Sequence, residues 1–148
     1  MVRKSIKKKN YKLDGFGFPV ILAEVELIAK GDDYYPLIDS RKVQDLVFDA
    51  LRQSHCQIMG SQLSFVRKYM DMTQHDLAKA LGLAGHTTIS QWESAKSRVP
   101  KGFDSLYLAT LRALMAKYRG LLALDLGEFT RSISDDLEPP QAVIAISA

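Results

Sequence analysis

The chain has 148 residues, of which 47% are hydrophobic and 25% charged, and this composition is typical of one ordinary domain with a real core. It excludes a large multidomain enzyme and a chain that is disordered throughout. The formal net charge is +3, but residues 1–12 carry six basic residues and no acid, so the rest of the chain sums to −3.

Cysteine content and hydropathy indicate the compartment. The single cysteine, Cys56, cannot form an internal disulfide or a thiolate-based zinc site, and residues 1–10 lack the apolar segment of a secretory signal. No run approaches the roughly 18 apolar residues that cross a membrane. We therefore expect a soluble, cytoplasmic protein with no membrane partner, no metal and no cofactor.

The first two regions are a basic arm, residues 1–12, and a β-hairpin with a helix, residues 13–59. A lysine run like that of the arm is typical of a solvated tail, with contact to a DNA or RNA backbone as the alternative. The hairpin is predicted over residues 18–38, with a turn after Lys30 and with Pro36 favouring an edge strand. Alternation places one set of residues on the buried face of its first strand. These are Ile21, Ala23, Val25 and Leu27, with Glu24 and Glu26 opposite.

A helix follows the hairpin, because Asp39 or Ser40 can accept hydrogen bonds from the free N–H groups of a first helical turn. Apolar residues then recur at helical spacing and define a face that can cover the hairpin. These residues are Val43, Leu46, Val47, Ala50 and Leu51. The region 13–59 is thus a candidate interaction region.

Residues 60–120 are predicted to form short helices separated by turns. The second of these helices is capped by Thr73 and stops at Gly82, the third covers about residues 87–94, and a longer one covers about residues 103–118. Residues 121–148 are predicted as a short helix, from Leu121 to Phe129, and an acidic tail whose β-prone end could pair with the hairpin edge. The fold class is therefore α+β and mainly helical.

The segment MTQHDLAKALGLAGHTTISQWESAKSRVP, residues 72–100, resembles the helix-turn-helix of the Cro/C1-type (XRE) regulators. The resemblance covers about residues 61–118 and implies a DNA-binding domain that presents its third helix to the major groove. In order, the matching residues are Thr73, Gln74, Leu77, Ala78, Leu81, Gly82, Thr88, Ile89, Ser90, Trp92 and Glu93.

The resemblance assigns roles to residues of this segment. With Ile89 and Trp92 committed to the core, the exposed residues of the third helix are expected to contact bases, although each could instead be a solvated helix residue. The candidates for base contact are His86, Thr87, Thr88 and Gln91. The candidates for phosphate contact are Thr73, Gln74, Ser90, Lys96, Arg98 and Lys101. Arg67 and Glu93 look like the family's pair that links the first and third helices, so a structural role is expected for Arg67, Ile89, Trp92 and Glu93.

The preceding stretches YKLDGFGFPVILAEVELI, YYPLIDSRKVQDLVFDALRQ and MGSQLSFVRKYMDMTQ resemble the layout of MqsA-type and HigA-type antitoxins of toxin–antitoxin operons. This resemblance implies a homodimer that represses its own operon at a palindromic DNA operator and holds a toxin protein. Those antitoxins often carry a Cys-x-x-Cys zinc module that is absent here, so zinc is not carried over. The broad apolar stripe between Tyr107 and Tyr118 and the segment from Leu121 to Phe129 are the candidate dimer surfaces.

Two alternatives remain beside an autorepressing antitoxin. One is a phage-type or stand-alone repressor without a toxin. The other is a protein-interaction module that has lost DNA binding. It is favoured by the net charge of −3 outside the basic arm and by the turn LAGHTTIS, which is one residue longer than the common turn of the Cro/C1-type family. An enzyme is not expected, because no nucleophile has a recognisable base in motif context and no glycine-rich phosphate loop follows a strand.

Overall fold

The computed structural model describes residues 5–121, 133 and 137–147. In chain order the elements are β1 Ser5–Leu13, β2 Val20–Lys30, β3 Asp33–Pro36, α1 Ser40–Gln53, α2 Gly60–Tyr69, α3 Gln74–Ala80, α4 His86–Glu93, α5 Ser105–Tyr118 and β4 Ile144–Ile146. The predicted α+β class is confirmed. Of the short element predicted from Leu121 to Phe129, every residue after Leu121 lies outside the described residues.

The predicted hairpin is present and belongs to a larger sheet. β2 pairs antiparallel with β1 on one side and with β3 on the other. β4 pairs parallel with Val20 to Leu22 of β2, on the same side of β2 as β3. Gly31, in the two-residue turn between β2 and β3, has a φ of +65°, a backbone conformation that glycine adopts without strain. β3 is an edge strand among the described residues, which accommodates Pro36.

The basic arm differs from the expected solvated tail, because residues 5–13 form β1. Lys7 and Lys9 lie opposite Glu26 and Glu24 of β2, and Lys7 Nζ is 3.7 Å from Glu24 Oε1. Opposite charges on neighbouring strands favour this pairing. The lysines gave no apolar alternation, so β1 could not be recognised before the strand that it pairs with was known.

The predicted inward face of β2 is only half correct. Val25 and Leu27 are buried, but in the first half of the strand the buried residues are Val20 and Leu22, while Ala23 is exposed. In β1 and β2 the side chains that face the core shift by one position where Asn10 and Ala23 would pair. At this position Asn10 takes a left-handed φ of +53°. Asparagine tolerates this conformation better than most residues, and the strands pair in the same register on both sides of it, so the irregularity is local.

Side-chain caps set the starts of three helices. Asp39 Oδ1 accepts hydrogen bonds from Arg41 N and Lys42 N and begins α1, and Thr73 begins α3 as predicted. Asp104 Oδ1 accepts from two backbone N–H groups and begins α5, so this helix starts at Ser105 rather than near residue 103. α4 begins at His86, one residue earlier than predicted, and has no side-chain cap.

One hydrophobic cluster joins the sheet to α1, α2, α3, α4 and α5. Phe48 of α1, which the predicted apolar face omitted, is fully buried, whereas Leu46 and Ala50 are only partly buried. Along α5 the buried residues are Leu108, Ala109, Leu111 and Met115. The sheet and the helices therefore share a core.

The C-terminal segment is part of that core. Ile144 and Ile146 are buried, and Gln57 N donates to Glu138 O at 2.9 Å. The segment also satisfies the fully buried Gln62, whose Nε2 donates to Gln141 O while its Oε1 accepts from Met59 N. Burial of an amide is tolerated because both ends are hydrogen-bonded.

The start of α2 is pressed against the end of α4. Gly60 N donates to Arg98 O at 3.1 Å, and Ser61 N donates to Lys96 O at 2.9 Å. A Cβ atom on Gly60 would overlap the carbonyl oxygen of Trp92 and lie 2.9 Å from Lys96 N. Only glycine permits this approach, because the obstructing atoms belong to the backbone and cannot rotate away.

We expect Gly60→Ser to lower the free energy of unfolding by about 1–3 kcal/mol, because the added side chain forces α2 and α4 apart. Urea denaturation measures the change. Gly85→Ser is the matched control, since no atom lies within 4 Å of a Cβ there and serine is a favourable residue at the start of a helix. Equal stability of the two variants would show that the contact at Gly60 is not tight.

Candidate nucleic-acid interface

The inner side of α4 is fixed by two buried residues, as predicted. Ile89 is fully buried, and Trp92 packs against Phe103 and Tyr107 with ring centroids 4.9 and 5.3 Å apart. Trp92 Nε1 also donates to Lys101 O at 3.0 Å, which satisfies the polar group that tryptophan buries. The indole thus joins α4 to the segment between α4 and α5.

An ion pair fixes the end of α4 to α2. Arg67 Nε and Nη2 donate to the two carboxylate oxygens of Glu93 at 2.7 and 2.9 Å, and Arg67 Nη1 donates to Met72 O. Gln74 Nε2 donates to the same carboxylate at 3.3 Å. This bidentate geometry is the strongest form of an arginine–carboxylate contact, so α2, α3 and α4 are held in one arrangement.

The surroundings of Glu93 lower the pKa of its carboxyl. Burial by itself raises this pKa, but the hydrogen bonds from Arg67 and Gln74 and the positive charge of Arg67 outweigh it. The folded protein therefore holds Glu93 as a carboxylate at neutral pH. Its contribution to stability is present above the pKa of the unfolded chain and is lost as pH falls through the lower pKa of the folded state.

The predicted base-contacting residues lie on or beside the outer face of α4. His86, Thr87 and Gln91 are exposed. Successive helical residues are rotated by about 100°, so Thr87 and Gln91 lie opposite the face formed by Ile89 and Trp92. Thr88 lies toward the edge of that buried face and is half-buried. The outer surface of α4 is therefore short and polar, formed by histidine, threonine and glutamine side chains.

The residues predicted to contact phosphate fall into two groups. Lys96, Arg98 and Lys101 have exposed side chains, while their carbonyl oxygens accept hydrogen bonds from Ser61, Gly60 and Trp92. The backbone beneath these three cations is therefore held in place.

The second group is engaged within the fold. Thr73 Oγ1 accepts from Asp76 N, Thr73 N donates to Asp76 Oδ2, and Gln74 binds Glu93. Ser90 is half-buried on α4. Hydrogen bonds from the Thr73 backbone and side chain lower the pKa of Asp76, which is therefore a carboxylate at neutral pH. This negative charge beside the start of α3 opposes the phosphate contact expected of Thr73.

Two residues that contribute to the arrangement of α2, α3 and α4, namely Asp76 and Gly60, were not predicted from the sequence. The spacing Thr-x-x-Asp at Thr73 and Asp76 signals a reciprocal helix cap, and it could have identified Asp76. Gly60 gave no such signal, because its role depends on a helix that is distant in sequence. Within the described ranges no three histidine, cysteine or acidic residues are grouped as metal ligands would be, and no helix is long and apolar enough to cross a membrane.

Comparison with known proteins identified no matching family model, no matching curated protein and no matching solved structure.

We expect Glu93→Gln to lower the free energy of unfolding by about 1.5–3 kcal/mol near neutral pH, because the Arg67 guanidinium loses its charged acceptor. The difference from the original protein should shrink as pH falls through the lowered pKa of Glu93 and its carboxylate becomes protonated. Denaturant unfolding at a series of pH values measures both effects. Glu24→Gln removes a carboxylate from an exposed pair and should change stability by less than about 0.5 kcal/mol. A difference that is independent of pH would contradict the role of the charge.

Proposed function

We propose that this chain is a sequence-specific DNA-binding transcriptional regulator, in which α3, the turn after it and α4 form a Cro/C1-type helix-turn-helix. One observation carries the proposal. The inner face of α4 is fixed by Ile89, Trp92 and the Arg67–Glu93 ion pair, while its outer face is exposed and polar. A recognition helix needs this combination, since base edges are read by side chains held in a defined orientation.

The outer face of α4 supports readout in the major groove. The Gln91 amide has a donor and an acceptor that match the N7 and N6 groups of adenine, and threonine can contact the methyl group of thymine. Thr87 and Gln91 are exposed on the same side of the helix, and His86 is exposed at its start. With Thr88 at the edge of this surface, these four residues are the proposed base contacts.

Exposed cations beside α4 support contact with the DNA backbone. Lys96, Arg98 and Lys101 lie in the segment between α4 and α5, and residues 61–101 carry six basic and three acidic residues. Phosphate contacts position a protein on the duplex without reading sequence. We assign the principal phosphate contacts to these three residues and secondary contacts to Ser90 and Gln74, whereas the Asp76 carboxylate weakens the contact expected of Thr73.

Exposed apolar residues support the proposed protein partners. Tyr118 and Leu121 lie at and shortly after the end of α5 and are each about half exposed, so we propose the surface at this end of the helix for a homodimer on a palindromic operator. Tyr34, Tyr35 and Leu37 are exposed on and after the edge strand β3. We propose this second surface for a toxin protein, with the chain acting as an autorepressing antitoxin.

The proposal is tested by selecting bound duplexes from a random pool and measuring affinity for the selected sequence. Gln91→Ala should cost about 1–3 kcal/mol at one or two base positions and leave nonspecific affinity almost unchanged. Gln53→Ala, at the exposed end of α1, is the matched control. Selection of no preferred sequence, with equal affinity for every duplex, would favour an interaction module without DNA recognition.

The phosphate contacts have a separate signature. Arg98→Gln and Lys101→Gln should each weaken binding to all sequences and reduce the slope of log affinity against log salt by about 1. Lys30→Gln, at the far end of β2, removes the same charge away from α4 and should leave the slope unchanged. A slope that changes equally in all three variants would show that only net charge matters.

Copurification of the chain with the product of a neighbouring gene, and loss of that product in the variant Tyr35→Ser, would support the antitoxin assignment. A chain that binds its operator but captures no neighbouring product is a stand-alone repressor.

A further inference from the structure

A cleft of about 560 Å³ lies between the β1–β2 connection, α1, α2 and the segment after α4. Its volume is within the range of about 300–1,000 Å³ that is usual for small-molecule sites. The β1–β2 connection forms one wall, with Gly15 and Gly17 at φ values of +99° and +87°. A Cβ on Gly17 would lie 3.7 Å from Ser61 Cβ, so the connection runs close to the start of α2.

Aromatic side chains form one side of the cleft. The ring centroid of Phe65 is 5.5 Å from that of Phe16 and 6.1 Å from that of Tyr69. All three residues line the cleft and are half-buried, so each leaves part of its surface accessible there. Such a surface favours an aromatic or similarly planar ligand group, because aromatic pairs gain contact energy beyond that of area burial.

Two lysines lie on the same cleft and supply positive charge. Lys68 of α2 and Lys96 after α4 are exposed, and neither forms an ion pair with a described residue. Glu93 also lines the cleft, but both of its oxygens are bound by Arg67. The charge that is left available to a ligand is therefore positive.

A smaller cleft of about 370 Å³ adjoins the first one and differs from it in charge. It shares Phe16, Gln44 and Phe65 with the first cleft, but it contains Asp14 and no lysine. An anionic group is repelled by Asp14 and attracted by Lys68 and Lys96. An aromatic group can extend along the shared rings toward Gln44.

We infer that the larger cleft binds a small molecule that joins an aromatic ring to an anionic group, with the ring against Phe16 and Phe65 and the anion near Lys68 and Lys96. Ser61 and Ser64 line the same cleft, but their hydroxyl groups are hydrogen-bonded to Lys96 O and to Glu93, so the two lysines are the groups that attract the anion. The ligand class is thus an aryl carboxylate, sulfonate or phosphate. This inference does not depend on DNA binding.

A regulatory consequence does rest on the proposed function. Lys96 is a proposed phosphate contact and also lines the cleft, so a bound anion and a DNA phosphate compete for one side chain. Two ligands that compete in this way must weaken each other's binding by the same factor. The small molecule is therefore an effector that releases DNA.

The first experiment uses 8-anilino-1-naphthalenesulfonate, a fluorescent aromatic anion, and N-phenyl-1-naphthylamine, which lacks the sulfonate. The sulfonate should bind the full chain with one site per chain and more tightly than the amine. Lys68→Gln should weaken the sulfonate about threefold to tenfold and leave the amine unchanged, since one charged contact is lost. Lys79→Gln, an exposed lysine on α3 outside the cleft, is the matched control.

A second variant tests the position of the ring. Gln44→Trp fills the shared part of the two clefts from an exposed helical position and should abolish binding of both dyes. Unchanged thermal unfolding of this variant shows that the loss is local. Absence of dye binding to the original chain, equal affinity for both dyes, or equal behaviour of Lys68→Gln and Lys79→Gln would overturn the inference.

Competition identifies the anionic group. Benzoate and adenosine 5′-monophosphate carry a ring with a carboxylate and with a phosphate, and at least one should displace the sulfonate dye. Displacement by inorganic phosphate at the same concentration would show that no ring is required and would overturn the assignment.

With a selected DNA duplex, saturating dye should weaken DNA binding at least threefold in the original chain and not in Gln44→Trp. Dye binding without this change overturns only the regulatory consequence, whereas failure to select a duplex overturns only the proposed function.

Discussion

The close approach of α2 to the end of α4 is the constraint on which the helical part of the molecule depends. Because position 60 lacks a side chain, the first N–H groups of α2 reach the carbonyl oxygens of Lys96 and Arg98. Seven residues along α2, the Arg67 guanidinium binds Glu93. α4 is therefore held at its C-terminal end by backbone and side-chain contacts that reinforce each other, and its outer face has a fixed orientation.

The same junction places two kinds of surface close together. The segment that accepts the hydrogen bonds of α2 also carries the exposed side chains of Lys96 and Arg98, and Lys96 lines the cleft beside Phe65. A fixed backbone beneath exposed cationic side chains suits contact with anions, since long side chains can adjust to a ligand without disturbing the fold. The proposed DNA contacts and the proposed ligand site thus depend on one structural element.

The sheet and the C-terminal segment complete the core from the other side. Ile144 and Ile146 of β4 extend the sheet next to β2, and Gln62 joins the start of α2 to the same segment. Because Gln62 is fully buried, removal of the segment would leave its Nε2 without an acceptor and expose the apolar surface beneath β4. The segment therefore stabilises the junction of α2 and α4, although it is distant in sequence.

The sequence by itself determined the features that arise from local physical chemistry. Helical spacing located α1 to α5, capping chemistry fixed the start of α3 at Thr73 and restricted the cap of α1 to Asp39 or Ser40, and Ile89 and Trp92 were assigned to the core. Only the tertiary structure decided the strand character of residues 5–13, the change of face in β2 and the need for glycine at position 60. These features depend on partners that are remote in the chain: β1 is held by pairing with β2, and Gly60 is required by the backbone of α4. Local patterns contain no information on such contacts, because a lysine-rich strand lacks apolar alternation and a glycine has no side chain to signal its neighbour.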